Sequence, residues 1–333
     1  MRSGFLWLAI FACANPAPAQ VASFSGPVEA YAFDLPTRSV RPVIGFPGSS
    51  SFGPAIVEDL DFGSVAPQQN YAIVLKGVVW QLASHLDSAR PSAQALTGIA
   101  GRPQGVAWSG DGSLAILYSL SGNWIQTVSG LPAQPVVGPR TDVSTLGLLA
   151  AAASDATGKQ IAVAVTGPSP GVFLFEAAGQ AFERLLPLSN PAALAFSSDG
   201  AELYALDSST KQLAAVTMSN LGSQTVSLAG LANPFAVRCA PLSSAGQVVY
   251  VASRGDQILR EYNFTSRQTV ADLALSFAPA GLDEFGRNSF MVAPRASARD
   301  PLWLFVDAPQ PAIYFVPALP EQPARPERGD RAR

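Results

Sequence analysis

Residues 191–207, PAALAFSSDGAELYALD, carry the pattern that indicates the fold class most clearly. A short apolar run, ALAF, is followed by the polar turn SSDG and by a second apolar run, ELYALD. Asp favours such a turn through its side-chain hydrogen bonds, and Gly accepts the positive φ that the turn needs. The stretch therefore predicts two buried antiparallel strands joined by a tight turn.

The same outline recurs along the chain. Units that share it begin at Gly53, Pro103, Leu146, Pro191, Pro234 and Pro279. The spacings between the four units that begin with Pro are 88, 43 and 45 residues. A more polar hairpin closes several units, and its alternation of apolar and polar residues suits half-exposed strands. Four strands in each repeat of about 44 residues predict the blades of a β-propeller.

The number of blades depends on how the N-terminal part is counted. Six four-stranded units fit between Gly53 and Pro317, and the hairpin VEAYAFDLPTRSVRPVIG from Val28 precedes them. This hairpin matches the closing hairpins of the units in outline. We predict an all-β propeller with seven blades, the first of them short, and we keep six blades with an appended hairpin as the alternative. The first and last blades must meet, because an open ring would expose strand edges.

Two of the units, VAWSGDGSLAILY and LAFSSDGAELYALD, resemble the repeats of exported bacterial propellers of the YVTN and TolB-like kind. The resemblance extends over most of the chain and implies the propeller fold. It implies no particular activity, because these propellers include enzymes, scaffolds and proteins of unassigned role. The sequence departs from the pattern in having no YVTN tetrapeptide and only two clear Asp-Gly turns.

The N-terminus predicts export. Arg2 is followed by the apolar residues 5–12 and by the small residues Ala17-Pro18-Ala19, which is the pattern of a cleaved signal peptide over residues 1–19. We expect a periplasmic or extracellular protein. The alternative is a lipid anchor on Cys13, because Ile10-Phe11-Ala12-Cys13 resembles a bacterial lipobox.

The rest of the chain is predicted to be one domain with a tail. The propeller is expected over residues 20–318, and the polar residues 319–333 are expected to be disordered. No later segment is apolar enough to span a bilayer. The net charge of −3 and the lack of a basic block argue against nucleic-acid binding.

Few residues offer nucleophilic or acid–base chemistry. After cleavage the only cysteine is Cys239, which is predicted to be buried and inert in an inner strand. The single histidine, His85, falls in an outer strand or in the loop after it, away from any partner for catalysis. The aromatic residues Trp108, Phe196 and Phe235 are expected to pack between blades.

Two classes of function remain open from the sequence. The first is a non-catalytic monomer that binds a protein, peptide or glycan on one face and needs no cofactor or metal. Arg102, Asn190 and Asn233 precede inner strands and are the candidate binding residues. The second is a metal-dependent, lactonase-like hydrolase or lyase with its site at the channel mouth. Asp59 and Asp283, both expected on inner strands, are the candidate ligands for a cation such as Ca²⁺.

Overall fold

A computed structural model describes residues 26–67, 69–176, 181–240, 247–286, 288–307 and 310–319. These residues form only strands, turns and loops, and they contain no helix with the length and hydropathy needed to cross a membrane. The predicted signal peptide with Cys13, and all but the first residue of the predicted tail 319–333, lie outside the described residues.

The strands form seven sequential antiparallel sheets arranged in a ring, one sheet to a blade. Blades 1 and 2 hold β1 (Val28–Asp34), β2 (Ser39–Ile44), β3 (Ser51–Phe52), then β4 (Phe62–Val65), β5 (Ala72–Lys76), β6 (Val79–Ser84) and β7 (Ser92–Ala95). Blades 3 and 4 hold β8 (Gly105–Trp108), β9 (Leu114–Ser119), β10 (Trp124–Ser129), β11 (Val136–Asp142), then β12 (Leu148–Ser154), β13 (Gln160–Thr166), β14 (Gly171–Glu176) and β15 (Phe182–Pro187). Blades 5 and 6 hold β16 (Pro191–Phe196), β17 (Glu202–Asp207), β18 (Gln212–Thr217), β19 (Gly222–Ser227), then β20 (Pro234–Cys239), β21 (Val248–Ser253), β22 (Ile258–Asn263) and β23 (Gln268–Ala274). Blade 7 holds β24 (Asp283–Gly286), β25 (Ser289–Ala293), β26 (Leu302–Val306) and β27 (Ala312–Val316).

The prediction of an all-β propeller with seven blades is therefore confirmed. Six sheets have four strands, and the sheet of blade 1 has three described strands. In blades 2–7 the first strand is innermost, and first strands of neighbouring blades contact one another around the ring, for example β12 with β16 and β16 with β20.

The turn at residues 197–200 forms as its sequence predicts. The Asp199 Oδ1 atom accepts hydrogen bonds from the Ser197 hydroxyl at 2.6 Å and from the Ala201 amide at 3.0 Å. The Ser197 hydroxyl oxygen in turn accepts the Glu202 amide at 2.9 Å, and Gly200 takes φ 71°. The local chemistry thus fixes the angle at which the second strand returns beside the first.

Apolar packing between blades holds the ring together. All six residues of β17 and all six of β21 are buried, because each second strand is covered by the sheets on both sides. Leu206 of blade 5 and Val237 of blade 6 share one cluster. Trp108 lies in such an interface as well: its Nε1 donates to the Ser64 Oγ of blade 2 at 2.9 Å. Phe196 packs against residues of blades 4 and 5, and Phe235 against residues of blades 6 and 7, so all three predicted aromatics lie between blades.

The first and last blades also meet as predicted. Ala30 and Ala32 of β1 share an apolar cluster with Phe285, Leu302 and Leu304 of blade 7. No described strand of blade 1 is hydrogen-bonded to a described strand of blade 7, so side chains make the contact.

The position of β1 within its blade differs from the expectation. The hairpin from Val28 was expected to resemble a closing hairpin, but β1 and β2 correspond to the second and third strands of the other blades. The turn between them ends at Arg38 with φ 51°. β1 contacts the first strand β4 of blade 2, as the second strands β13 and β17 contact the first strands β16 and β20 of the next blade. Alternation alone does not distinguish the two kinds of hairpin.

Candidate functional site

Small side chains are frequent in the first strands, which lie nearest the ring centre. In blades 3 to 6 this small-residue wall includes Gly105, Ala107, Ala151, Ala152, Ala153, Ala193, Ala195 and Ala236, and its alanines also pack into the clusters between blades. Ala and Gly carry no side-chain hydrogen-bonding groups. Any polar residue in this wall is therefore a candidate recognition group.

An ion pair interrupts the small-residue wall. Arg238 and Asp283 occupy the same place in the repeat on blades 6 and 7, where blades 3, 4 and 5 carry alanine. The Arg238 Nη2 and Asp283 Oδ1 atoms are 3.2 Å apart, with side chains 29% and 57% exposed. Arg238 Nη1 also donates to the Val237 carbonyl at 2.9 Å and to the Leu194 carbonyl of blade 5 at 3.4 Å. The guanidinium is thus anchored to three blades yet remains open to solvent.

A tyrosine from another blade faces this pair. Tyr118 of β9 pairs with Gly105 of β8, and a Cβ atom at Gly105 would lie 2.3 Å from the Tyr118 phenol group. The tyrosine ring therefore lies across the inner strand of blade 3. Burial raises the pKa of Tyr118, the Asp283 carboxylate raises it further, and the Arg238 guanidinium lowers it. The hydroxyl is neutral at physiological pH, so it can both donate and accept a hydrogen bond.

Glu284 and Cys239 complete the group, which we call the channel cluster (Tyr118, Arg238, Cys239, Asp283 and Glu284). Glu284 is open to water in the channel but enclosed by protein on most sides. This enclosure raises the pKa of its carboxyl; Arg238 opposes the rise and Asp283 adds to it. Burial, with a contribution from Glu284, raises the pKa of the Cys239 thiol, and Arg238 opposes this. The thiol is therefore protonated near neutral pH and a poor nucleophile.

The predicted binding residues all lie at one end of the ring, because they precede the parallel-running first strands β8, β16 and β20. Arg102, Asn190 and Asn233 are exposed there. The Asn190 side-chain amide donates to the Ser208 hydroxyl at 2.9 Å, and the Asn233 backbone amide donates to the Ser253 hydroxyl at 3.1 Å. The Asn190 side chain thus stabilises its loop, and a binding role for Arg102, Asn190 and Asn233 stays a prediction.

The sequence patterns did not identify one arginine that lies at the same end of the ring. Arg254 follows β21, and its guanidinium carbon lies 3.8 Å from the centroid of the half-buried Phe235 ring. Its Nε and Nη2 atoms donate to the Pro279 and Ala280 carbonyls of blade 7, each at 3.3 Å. Arg254 therefore joins blades 6 and 7 at the end of the ring where the first strands begin.

The structure does not place the two candidate metal ligands alike. Asp283 is on the inner strand β24, as expected, where it pairs with Arg238. The expectation for Asp59 is wrong: it lies in the loop before β4, 84% exposed, with φ 60° and its carboxylate 3.7 Å from Lys76 Nζ. The inner strand begins only at Phe62. Among the described residues, no three His, Cys, Asp or Glu side chains converge as a metal site would require.

His85 is placed as predicted, in the loop after the third strand of blade 2. It is exposed, and its Nδ1 lies 3.2 Å from the Ser92 hydroxyl of the outermost strand. Because the outermost strand is far along the blade from the inner strand, this histidine is not part of the channel cluster.

Comparisons with known proteins add little. No family model matches the chain, and no curated protein matches its sequence. A chain from a nidogen/laminin complex is similar in structure, with 13% identity, 74% of this chain and 92% of that chain covered, and a TM-score of 0.49. A likeness at this level carries no argument, so the propeller rests on the strand order of the chain itself.

Proposed function

We propose that the protein is an exported, non-catalytic interaction module that binds a segment of a protein, a peptide or a glycan at the ring centre. The observation that carries the proposal is the solvent-accessible Arg238–Asp283 pair in a wall of small residues. Ligand sites in proteins typically combine a mostly apolar lining with a small number of placed polar groups.

The channel cluster offers both hydrogen-bond donors and acceptors. The Arg238 guanidinium and the Tyr118 hydroxyl donate, whereas the Asp283 carboxylate accepts. Peptide groups and sugar hydroxyls both present donors and acceptors in close succession. The backbone carbonyls that hold Arg238 fix its position before a ligand arrives, which lowers the entropic cost of binding.

Several features argue for binding over catalysis. The Cys239 thiol is held protonated, and His85 hydrogen-bonds to Ser92 away from the cluster. Asp283 is paired with a cation, and Asp59 lies elsewhere, so the two do not form the ligand set of a lactonase-like site. Hydrogen-bonding groups without an activated nucleophile favour recognition.

The binding proposal can be tested without knowing the ligand. Purified protein is screened against a displayed random-peptide library and a glycan array, in parallel with the variants Arg238→Ala and Arg90→Ala. Arg90 is an exposed arginine in the loop between the third and fourth strands of blade 2 and serves as the matched control. We expect the strongest hits to weaken at least tenfold in Arg238→Ala and to persist in Arg90→Ala.

Two results would overturn this proposal. One is a set of hits that both arginine variants weaken equally. The other is a stoichiometric divalent ion in the purified protein together with lactone hydrolysis that Asp283→Asn abolishes. The second result would establish the lactonase-like alternative.

Export is part of the proposal and has a separate test. It is supported by Arg2, the apolar residues 5–12 and the small residues Ala17-Pro18-Ala19. N-terminal sequencing of protein recovered from its native host is expected to begin at Gln20. A lipid-modified Cys13 would establish the anchored form instead, and an intact Met1 would refute export by this route.

A further inference from the structure

We propose that the ligand of the channel cluster is a peptide segment whose lysine or arginine side chain binds beside Glu284. This inference rests on the proposed function and deepens it, because it names the chemistry of the occupant. The starting observation is a carboxylate without a cation. Among the described residues Arg238 pairs with Asp283, and no basic side chain lies within ion-pairing distance of Glu284.

The hydrogen bonds of Arg238 explain why it does not pair with both carboxylates. Its Nη2 atom donates to Asp283 Oδ1 at 3.2 Å. Its Nη1 atom donates to the Val237 carbonyl at 2.9 Å and to the Leu194 carbonyl at 3.4 Å. These three bonds hold the guanidinium against Asp283, so Glu284 receives only its longer-range attraction.

The charges of the channel cluster therefore do not balance. Tyr118 and Cys239 are neutral near physiological pH, because burial raises the pKa of both groups. Arg238 balances Asp283, and an ionised Glu284 leaves one negative charge over. A ligand with a single positive group would balance the cluster.

The surroundings of Glu284 make such a ligand favourable. Enclosure by protein raises the pKa of its carboxyl, Arg238 opposes this rise, and Asp283 adds to it. Within the described part of the chain, no N–H or O–H group donates a hydrogen bond to this carboxyl. The attraction between opposite charges is stronger in a protein-enclosed channel than on an outer surface, because less water screens it.

Glu284 lies at one end of the channel. It occupies the repeat position of Trp108, Phe196 and Cys239, which are the last residues of the first strands β8, β16 and β20. The turns that lead to the second strands follow directly. A ligand that enters between these turns therefore reaches Glu284 first.

The turns around this entrance are acidic. Asp111, Asp155 and Asp199 lie in the turns between the first and second strands of blades 3, 4 and 5. In these three turns, all of which are described, Lys159 is the one basic residue. Hydrogen bonds from a serine hydroxyl and a backbone amide lower the pKa of Asp199, so its carboxylate is ionised. Carboxylates around a channel mouth attract cationic ligands and speed their association.

Cys239 connects the entrance with the channel cluster. Burial raises the pKa of its thiol most, and the negative charge of Glu284 adds to the rise. Arg238 opposes the rise, whereas Asp199 and Glu202 contribute to it. One buried group thus lies within electrostatic reach of carboxylates from both places, so both can act on the same ligand.

A peptide satisfies more of the channel cluster than other cations do. The Arg238 guanidinium, the Asp283 carboxylate and the Tyr118 hydroxyl match the carbonyl and N–H groups of a peptide backbone. A small amine would leave these groups without a ligand partner. A neutral glycan would leave Glu284 unbalanced. We therefore expect a basic side chain on a peptide backbone.

The first experiment uses peptides selected on the purified protein from a displayed random-peptide library. We expect lysine and arginine to be enriched at least threefold over the unselected library. One lysine-containing hit is then synthesised twice, once with lysine and once with Nε-acetyl-lysine, which removes the charge. Calorimetry is expected to show at least tenfold weaker binding of the acetylated peptide.

The second experiment removes the charge from the protein. Glu284→Gln is compared with Glu183→Gln, in which an exposed glutamate on the outermost strand β15 of blade 4 is changed in the same way. The lysine peptide should bind at least tenfold more weakly to Glu284→Gln and unchanged to Glu183→Gln. The acetylated peptide should bind the wild type and Glu284→Gln within threefold of each other. Urea unfolding at the pH of the binding assay confirms that both variants are folded.

The outcomes separate this inference from the proposed function. Hits without basic enrichment that still require Arg238, or equal binding of the two synthetic peptides, would overturn the inference and leave the binding module standing. Strong hits only among amino sugars would replace the peptide with a cationic glycan and also overturn it. A library without hits, or hits that depend on neither Arg238 nor Glu284, would count against both.

Discussion

The contact that closes the ring can be weakened by one isosteric change, Asp34→Asn. Arg295 of blade 7 reaches Asp34 of blade 1 with its Nη1 atom at 3.0 and 3.1 Å from the two carboxylate oxygens. The two side chains are 2% and 0% exposed. The remaining donors of Arg295 go to the Asp300 and Ala298 carbonyls, and its guanidinium lies 5.3 Å from the Phe52 ring centroid.

Burial determines how large the effect should be. Removing one partner of a buried ion pair leaves the other charge uncompensated and typically costs about 3–5 kcal/mol. Because Arg295 keeps its carbonyl partners, we expect a loss near the lower end, about 3 kcal/mol. For a domain of roughly 300 residues, a loss of 3–5 kcal/mol lowers the melting temperature by about 5–8 °C.

Urea and thermal unfolding, followed by circular dichroism, measure this loss. The matched control is Asp61→Asn, which breaks the exposed pair with Arg38 and should cost less than about 1 kcal/mol. Arg295→Met and the double variant complete a cycle in which we expect a coupling of more than about 1 kcal/mol. The reasoning is refuted if Asp34→Asn and Asp61→Asn shift the midpoint equally, or if the two blade 1–blade 7 changes are additive.

Three further predictions concern the inner strands. Gly105→Ala should lower the free energy of unfolding by about 1–3 kcal/mol, because the new Cβ collides with Tyr118, and Tyr118→Ala should relieve the loss in urea unfolding. In Glu284→Gln, the decline of stability with rising pH should be weaker than in the wild type. The raised pKa of Glu284 means that the folded protein keeps a proton that the unfolded chain loses at the ordinary pKa of 4.5. The stabilisation is therefore lost in the wild type as the pH rises from 4.5 through the folded pKa. Urea midpoints between pH 4 and 8 measure this loss. Ser64→Ala removes the acceptor of the Trp108 indole and should cost about 0.5–1.5 kcal/mol, with a change in tryptophan emission as the second readout; unchanged stability and emission would contradict it.

The sequence was sufficient for the architecture because the repeat encodes it locally. In residues 191–207, the turn residues Ser197, Asp199 and Gly200 carry their own hydrogen bonds and φ preference. The apolar run after the turn does not need to alternate with polar residues, since both faces of a second strand are buried. Repetition then predicts six complete blades, and the seventh follows only when the hairpin from Val28 is counted as part of a blade. None of these inferences needs long-range information.

The channel cluster was only partly predictable. Asp283 was expected on an inner strand, and its partner Arg238 could have been found, because the two lie 45 residues apart in a repeat of that length. Tyr118 could not, because it sits on a second strand and reaches the channel only by crossing Gly105. The error for Asp59 has a similar origin: an acidic run beside an apolar residue does not show where a strand begins.

Three arginines bridge neighbouring blades on the side of the ring formed by blades 5, 6, 7 and 1. Arg238 reaches blades 5, 6 and 7, Arg254 joins blades 6 and 7, and Arg295 joins blades 7 and 1. Blades 3, 4 and 5 meet through apolar clusters and alanine-rich inner strands, and apolar clusters also lie between blades 5 and 6 and between blades 6 and 7. A guanidinium can satisfy carbonyls on two blades at once, so it holds an interface that has no shared strand. The same donors also make this side the one where a ligand can find fixed hydrogen-bonding groups. Ring closure and recognition therefore draw on neighbouring residues, and a variant such as Arg238→Ala is informative about binding only when its unfolding midpoint matches that of the Arg90→Ala control.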